Sequence, residues 1–123
     1  MSRADDLRIR DYLGHILEAI ERINRYVVNV DEIEFYGDEK TQDAIIRNFE
    51  IIGEACHNVE RYHPDFAAKH PAVPWVVAYE MRNTLAHGYF LVDMEVVWRT
   101  IQTDLPGMVS QINRLLKSEN TST

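Results

Sequence analysis

Apolar residues recur along this chain at helical spacing. In RIRDYLGHILEAIERINRYV, Ile9, Leu13, Ile16, Ile20, Ile23 and Val27 step by four, three, four, three and four. Those positions fall on one face at about 3.6 residues per turn. In TQDAIIRNFEIIGEACHNVERY the same rhythm runs through Ile45, Phe49, Ile52, Cys56 and Val59. Gly53 inside that run weakens it by up to about 1 kcal/mol relative to alanine, and close approach of another helix would be the return. Between the two runs NVDEIEFYGDEK breaks the pattern, with Gly37-Asp38 as a turn and candidate cap. Asp5 or Asp6 could cap the first run.

The connector HPDFAAKHPAVP carries Pro64, Pro71 and Pro74 and leaves room for at most one short helical turn. Pro74 suits the first turn of a third helix, WVVAYEMRNTLAH, with Gly88 just past its end. Asp93 is a good N-cap for a last helix, MEVVWRTIQTDLPGMVSQINRLL, in which Pro106-Gly107 should produce a kink. No alternating strand pattern occurs. The expectation is an all-α fold, a four-helix up-and-down bundle with mostly antiparallel neighbours and main helices near 7–28, 39–61, 74–87 and 93–116. Residues 1–117 form one domain, and 118–123 form a polar tail.

Composition narrows the function. The 123 residues carry a net charge of −7, and the excess acidity is confined to residues 1–60, with 14 acidic and 7 basic side chains; residues 61–123 have 6 of each. Affinity for phosphates comes largely from Lys and Arg, so any nucleic-acid role must rest on a local site. The single cysteine, Cys56, allows no intrachain disulfide. With no apolar leader and no membrane-length apolar stretch, the cytoplasm is the expected location.

The densest chemistry lies at RNTLAHGYF, positions 82–90, where the third helix ends. Unpaired last-turn carbonyls favour a protonated histidine at position 87. Arg82 is permanently charged, and its planar fork fits phosphate oxygens. Tyr89, beyond Gly88, should stand off the helix. A bland reading makes these a C-cap histidine and a surface arginine. The functional reading takes an arginine and a titratable histidine as a minimal kit for metal-free RNA cleavage. His87 moves protons at the 2′-hydroxyl and the leaving 5′-oxygen, and Arg82 stabilises charge on the phosphate. On a regular helix the two positions diverge by about 140°. Either the helix distorts near Gly88 or a symmetric homodimer assembles the site from two chains, and the dimer is preferred. Asn83, four residues before His87, shares its face.

RNTLAH matches the Arg-x4-6-His motif of the HEPN superfamily of helical ribonucleases, and RNTLAHGY resembles its HepT-like branch. AIIRNFEIIGEACHNV and PAVPWVVAYEMRN resemble that branch's second helix and its approach to the motif. The resemblance covers nearly the whole chain, and no motif position departs from it. It implies a homodimeric, metal-independent ribonuclease toxin that cuts RNA at a dimer cleft, with no cofactor and with neither DNA nor a membrane among its partners. It also implies an MntA-type nucleotidyltransferase antitoxin that transfers AMP onto the motif tyrosine. Carried over, Arg82 and His87 are catalytic, Asn83 is supporting and Tyr89 is the AMP acceptor.

Two other readings stand beside this one. A catalytically silent dimer could bind and assist a nucleotidyltransferase. A metal-binding bundle could use Glu54-x-x-His57 and Glu60-x-x-His63, although both pairs fall on one helix and a solvated face is the plainer account. Glu54 could also face a dimer cleft. His63 and His70 are expected at the surface, and Trp75, Tyr79 and Trp98 in the core or an interface.

Overall fold

The computed structural model describes residues 8–87 and 93–121; at 82–87 and 119–121 it describes the backbone alone. Every regular element among them is helical. Helix α1 spans Ile9–Val27 and buries Leu13, Ile16, Ile20 and Ile23, with Tyr12 and Ala19 widening the stripe. Ile9 and Val27 sit half-buried at its two ends. Arg8 occupies the N-cap position with no side-chain cap bond. Asp5 and Asp6 lie outside the described residues. After α1, Asn29 takes φ 62°, a left-handed turn that asparagine tolerates better than most residues.

The polar segment that interrupts the apolar rhythm contains a short helix, α2, Glu32–Tyr36. It is built locally rather than by periodicity. The Asp31 side chain accepts from the Glu34 N–H at 2.8 Å, and the Glu34 carboxylate accepts from the Asp31 N–H at 3.0 Å. This capping box satisfies two otherwise orphaned donors and sets Phe35 into the core. Helix α3, Glu39–Tyr62, is capped as expected by Asp38, which accepts from the Thr41 N–H and hydroxyl at 3.1 and 2.6 Å. All five residues of its apolar stripe are buried.

Helix α3 is the spine. It packs most extensively on α1 and on α5, Trp75–His87, while α2 folds against its start. Tyr12 near the start of α1 meets His63 just past the end of α3, and Arg22 near the end of α1 reaches Asn48 early in α3. The two helices are therefore antiparallel. Asn48, buried at the seam, donates to the Ala44 carbonyl at 2.9 Å and accepts from Arg22 Nη1 at 3.3 Å, so its amide is not stranded in the core.

The proline-rich connector forms α4, Pro64–Lys69, with Pro64 in the first turn where a missing N–H does no harm. Two hydrogen bonds pin the rest of it: Trp75 Nε1 donates to the His70 carbonyl at 3.1 Å, and Gln111 Nε2 donates to the Ala72 carbonyl at 3.0 Å. Pro74 sits one residue before α5, and its carbonyl accepts the Ala78 N–H.

The last helix starts at Met94, capped by Asp93, whose side chain accepts from the Glu95 N–H at 2.9 Å. It is not one uniform helix. After α6, Met94–Arg99, comes a π-helical segment, Thr100–Asp104, and then α7, Leu105–Thr121. The irregularity predicted at Pro106 appears in the turns before it. The Leu105 N–H bonds back five residues to the Thr100 carbonyl, which relieves the clash of the Pro106 ring with the preceding turn. The hydroxyls of Thr100 and Thr103 bond to carbonyls four residues back, a pattern that bends helices. Helix α7 packs on α1 and closes the bundle. Its backbone stays helical to Thr121, past the expected end near 116 and into the polar tail.

Candidate functional site

Helix α5 carries the motif. It is a single α-helix through His87, its last residue, and that bears directly on the geometry. With no distortion up to position 87, positions 82 and 87 point about 140° apart, whereas 83 and 87 lie within about 40° of each other. Position 82 shares a face with Trp75 and Tyr79, seven and three residues earlier. Position 87 lies on the other side, near the face of Val76 and Glu80. The side chains of Arg82, Asn83 and His87 lie outside the described residues, and so does Tyr89 entirely.

The scaffold around position 82 is well defined. Trp75 is buried and holds the start of α5 against Phe66 of α4. One turn on, the Tyr79 ring stacks on His57 of α3, centroids 4.1 Å apart and planes 17° from parallel. Helix α5 therefore runs back along α3. Gly53 is buried in α3, and exposed Glu54 follows it, one turn before His57. Among the described residues no group of three or more His, Cys, Asp or Glu side chains is arranged to hold a metal ion. The histidines of the two Glu-x-x-His pairs make ring contacts instead, His57 with Tyr79 and His63 edge-on with Tyr12. His63 and His70 are half-buried rather than fully at the surface. Trp75 is core, as expected, and Trp98 packs on the core with its ring 5.2 Å from that of Phe35.

Helix α5 also borders an apolar groove of about 620 Å³. Its walls include Val77, Ala78 and Met81 of α5 and Val96, Leu105 and Met108 of the last helix, over a floor of Phe49 and Ile52. Val77 is 64% exposed, Val76 49% and Val96 41%. Periodicity did not single out this face. The signal for it was the run WVVAYEM, apolar on more of the helix than a core-facing stripe requires.

Cys56, the lone thiol, is deeply buried, and burial pushes its pKa up to about 12, with Glu60 adding to the rise. It is a packing residue rather than a nucleophile. Tyr36 at the far end of the bundle is also raised to about 12, chiefly because its hydroxyl donates to Glu32 at 2.6 Å.

The ribonuclease HepT-like family matches residues 16–115, from the middle of α1 into α7 and including the whole of α3 and α5. The chain belongs to the HepT-like ribonuclease family. Named relatives agree. The chain is 42% identical over 108 residues to "Probable ribonuclease HepT" of Thermococcus cleftensis, an alignment covering 88% of this chain and 96% of that protein. It is 36% identical over 110 residues to "Putative RNase TTE0752" of Caldanaerobacter subterraneus subsp. tengcongensis, covering 89% and 96%. No solved structure matches the chain. The family match extends over the groove as well as the motif, so the HepT-like domain includes both. Among the described residues no helix is long and apolar enough to cross a membrane.

Proposed function

We propose that this HepT-like protein is the toxin of a HepT/MntA-type toxin–antitoxin pair, a metal-independent ribonuclease that cuts RNA in a cleft between two copies of the chain. The observation that carries the reading is the family match together with an intact Arg82-x4-His87-x-Tyr89 motif at the end of an unbroken helix. The 2′-oxygen attacks the adjacent phosphorus, the bond to the 5′-oxygen breaks, and the products are a 2′,3′-cyclic phosphate and a 5′-hydroxyl. His87 moves protons between these oxygens. Arg82 stabilises the charge building on the phosphoryl oxygens. Asn83 supports His87 from the same helical face.

Two observations support a composite site. Regular helical geometry sets positions 82 and 87 about 140° apart, so one chain presents them to one phosphate poorly. The apolar groove beside α5, with Val77 and Val96 exposed on its walls, offers a surface that a second copy would cover. The antitoxin partner is an MntA-type nucleotidyltransferase. It joins the AMP of ATP to the Tyr89 phenol oxygen with loss of pyrophosphate. The added phosphodiester places bulk and negative charge beside the cations that RNA needs.

The decisive experiment incubates purified chain with labelled RNA in EDTA. Cleavage to 2′,3′-cyclic phosphate ends, abolished in His87→Ala, is expected; cleavage that needs added divalent metal overturns the mechanism. Co-expression with a cognate nucleotidyltransferase should add AMP mass to the wild-type chain and none to Tyr89→Phe. Mass on another residue, or a modified chain that still cuts RNA, removes Tyr89 as the switch.

A further inference from the structure

An acidic ribonuclease must hold a polyanion somewhere other than at the scissile phosphate. A second pocket, of about 340 Å³, lies where the proline-rich connector meets α7, lined by Lys69, His70, Val73, Gln111, Arg114 and Leu115 among others. Among the described residues no carboxylate lines it. Lys69 and Arg114 are exposed, and among the described residues neither pairs with an acidic side chain within ion-pair distance. Most cations of α1 and its N-cap differ: Arg8, Arg22 and Arg25 each pair with a carboxylate on α1. Among the described residues, then, neither Lys69 nor Arg114 is held in an ion pair.

The pocket is also braced by hydrogen bonds. The bonds from Gln111 to the Ala72 carbonyl and from Trp75 to the His70 carbonyl fix the connector against α7 and α5. Val73 and Leu115 are buried beneath it. Electrostatically it is remote from the acidic cluster at Asp31, Glu32, Glu34, Asp38 and Glu39. That cluster sits at the start of α3 and the pocket beyond its end, about 36 Å along a 24-residue helix at 1.5 Å per residue. That is several times the roughly 8–10 Å Debye length near physiological salt.

We propose that Lys69, Arg114 and His70 form a phosphodiester subsite that grips the RNA strand away from the cut. It rests on the ribonuclease reading and deepens it by assigning where the flanking strand binds. Position 87 and this pocket lie at opposite ends of α5, about 20 Å apart along its 13 residues, so the subsite engages a phosphate other than the scissile one. Arginine and lysine suit this role because they bind phosphate without reading sequence.

The test measures binding of a labelled single-stranded RNA to the full chain across a salt series, in a His87→Ala background so that the RNA survives. Each phosphate-binding cation removed should make the slope of log K against log salt shallower by about 0.7. Lys69→Gln/Arg114→Gln should show that shallower slope and weaker binding at low salt. Lys40→Gln, at the opposite end of α3, should show neither. In the catalytically intact chain the double variant should raise KM for long RNA at unchanged kcat. It should cut oligonucleotides too short to span α5 at the wild-type rate. An unchanged slope with RNA still bound and cut overturns the subsite and leaves the ribonuclease reading standing. No binding and no cleavage by the wild-type chain overturns both.

Discussion

Substituting Val77→Asp separates folding from assembly. Val77 is 64% exposed on α5, so the folded monomer buries only about a third of its side chain and should barely register the change, within about 0.5 kcal/mol, as for other surface positions. A dimer that covers the groove is different. Burying a valine fully contributes about 1.5 kcal/mol at the low end, and in a two-fold interface the residue counts twice. Because about a third of Val77 is already buried in the monomer, the interface adds about 1 kcal/mol per copy and the loss is about 2 kcal/mol, or roughly 30-fold in the dimer dissociation constant. Desolvating two carboxylates makes that figure a floor. Sedimentation velocity at micromolar concentration should show Val77→Asp shifted to monomer with an unchanged helical circular dichroism spectrum. RNA cleavage measured at the same concentrations should fall in step with the dimer fraction. A Val77→Asp chain that remains dimeric at wild-type concentrations removes the groove from the interface. A monomeric Val77→Asp chain that cuts RNA at the wild-type rate refutes the composite site itself.

Other outcomes follow from single side chains. His87→Ala and Arg82→Ala should each lower cleavage by about 10²–10⁴-fold without changing the melting temperature, since removing a positioned acid–base group has that effect; assays of RNA cleavage and thermal unfolding on the same samples check both halves. Cys56, with its thiol pushed up to about 12 by burial, should resist thiol reagents at pH 8 in the native chain and react once per chain in denaturant. Asp38 is held below its ordinary value because its carboxylate accepts from the Thr41 hydroxyl and N–H. A folded-state value lower than the unfolded one stabilises the fold above the ordinary aspartate value of about 3.9, and that contribution disappears as pH falls through the folded value. Thr41→Val should therefore lower the melting temperature at pH 7 and have progressively less effect in a pH series taken below about 4.

The four main helices were legible because their signals are local. The α1 and α3 stripes repeat every three or four residues, and no distant contact was needed to recognise them; Leu13, Ile16, Ile20 and Ile23 are all buried, as are Ile45, Phe49, Ile52, Cys56 and Val59. The caps at Asp38 and Asp93 were legible for the same reason, since each bond spans two or three residues. Helix α2 was not. It is one and a half turns long, shorter than any apolar period can reveal, and it exists because Asp31 and Glu34 bond reciprocally. The π-helical segment shows in the sequence only as an irregularity at Pro106. A proline shows where the α-helical ladder must lose a bond, but the choice between a bend and a π-turn depends on how nearby residues pack: here Ile101 inside the segment and Leu105 just after it both stay in the core.

The candidate site is marked in the sequence by its residue types and not by its surroundings. Arg82, His87 and Tyr89 stand out because so much chemistry at one helix end is hard to explain by packing. What the sequence could not separate is inward from outward on α5. Trp75 and Val77 are both apolar and two residues apart, about 200° around the helix; the structure buries the first at 4% exposure and leaves the second at 64%. An interface that a second chain covers uses the same residue types as a core that the chain's own helices cover, so hydrophobicity alone cannot tell the two apart. Only when α3 has claimed one side of α5 through the His57–Tyr79 stack, and Trp75 has docked on Phe66 of α4, does the remaining apolar side become visible as surplus. A second copy laid over that surplus would cover Val77, about 80° around α5 from position 87 and about 140° from position 82, so whether the surface that lacks cover and the candidate site share one interface is what Val77→Asp decides.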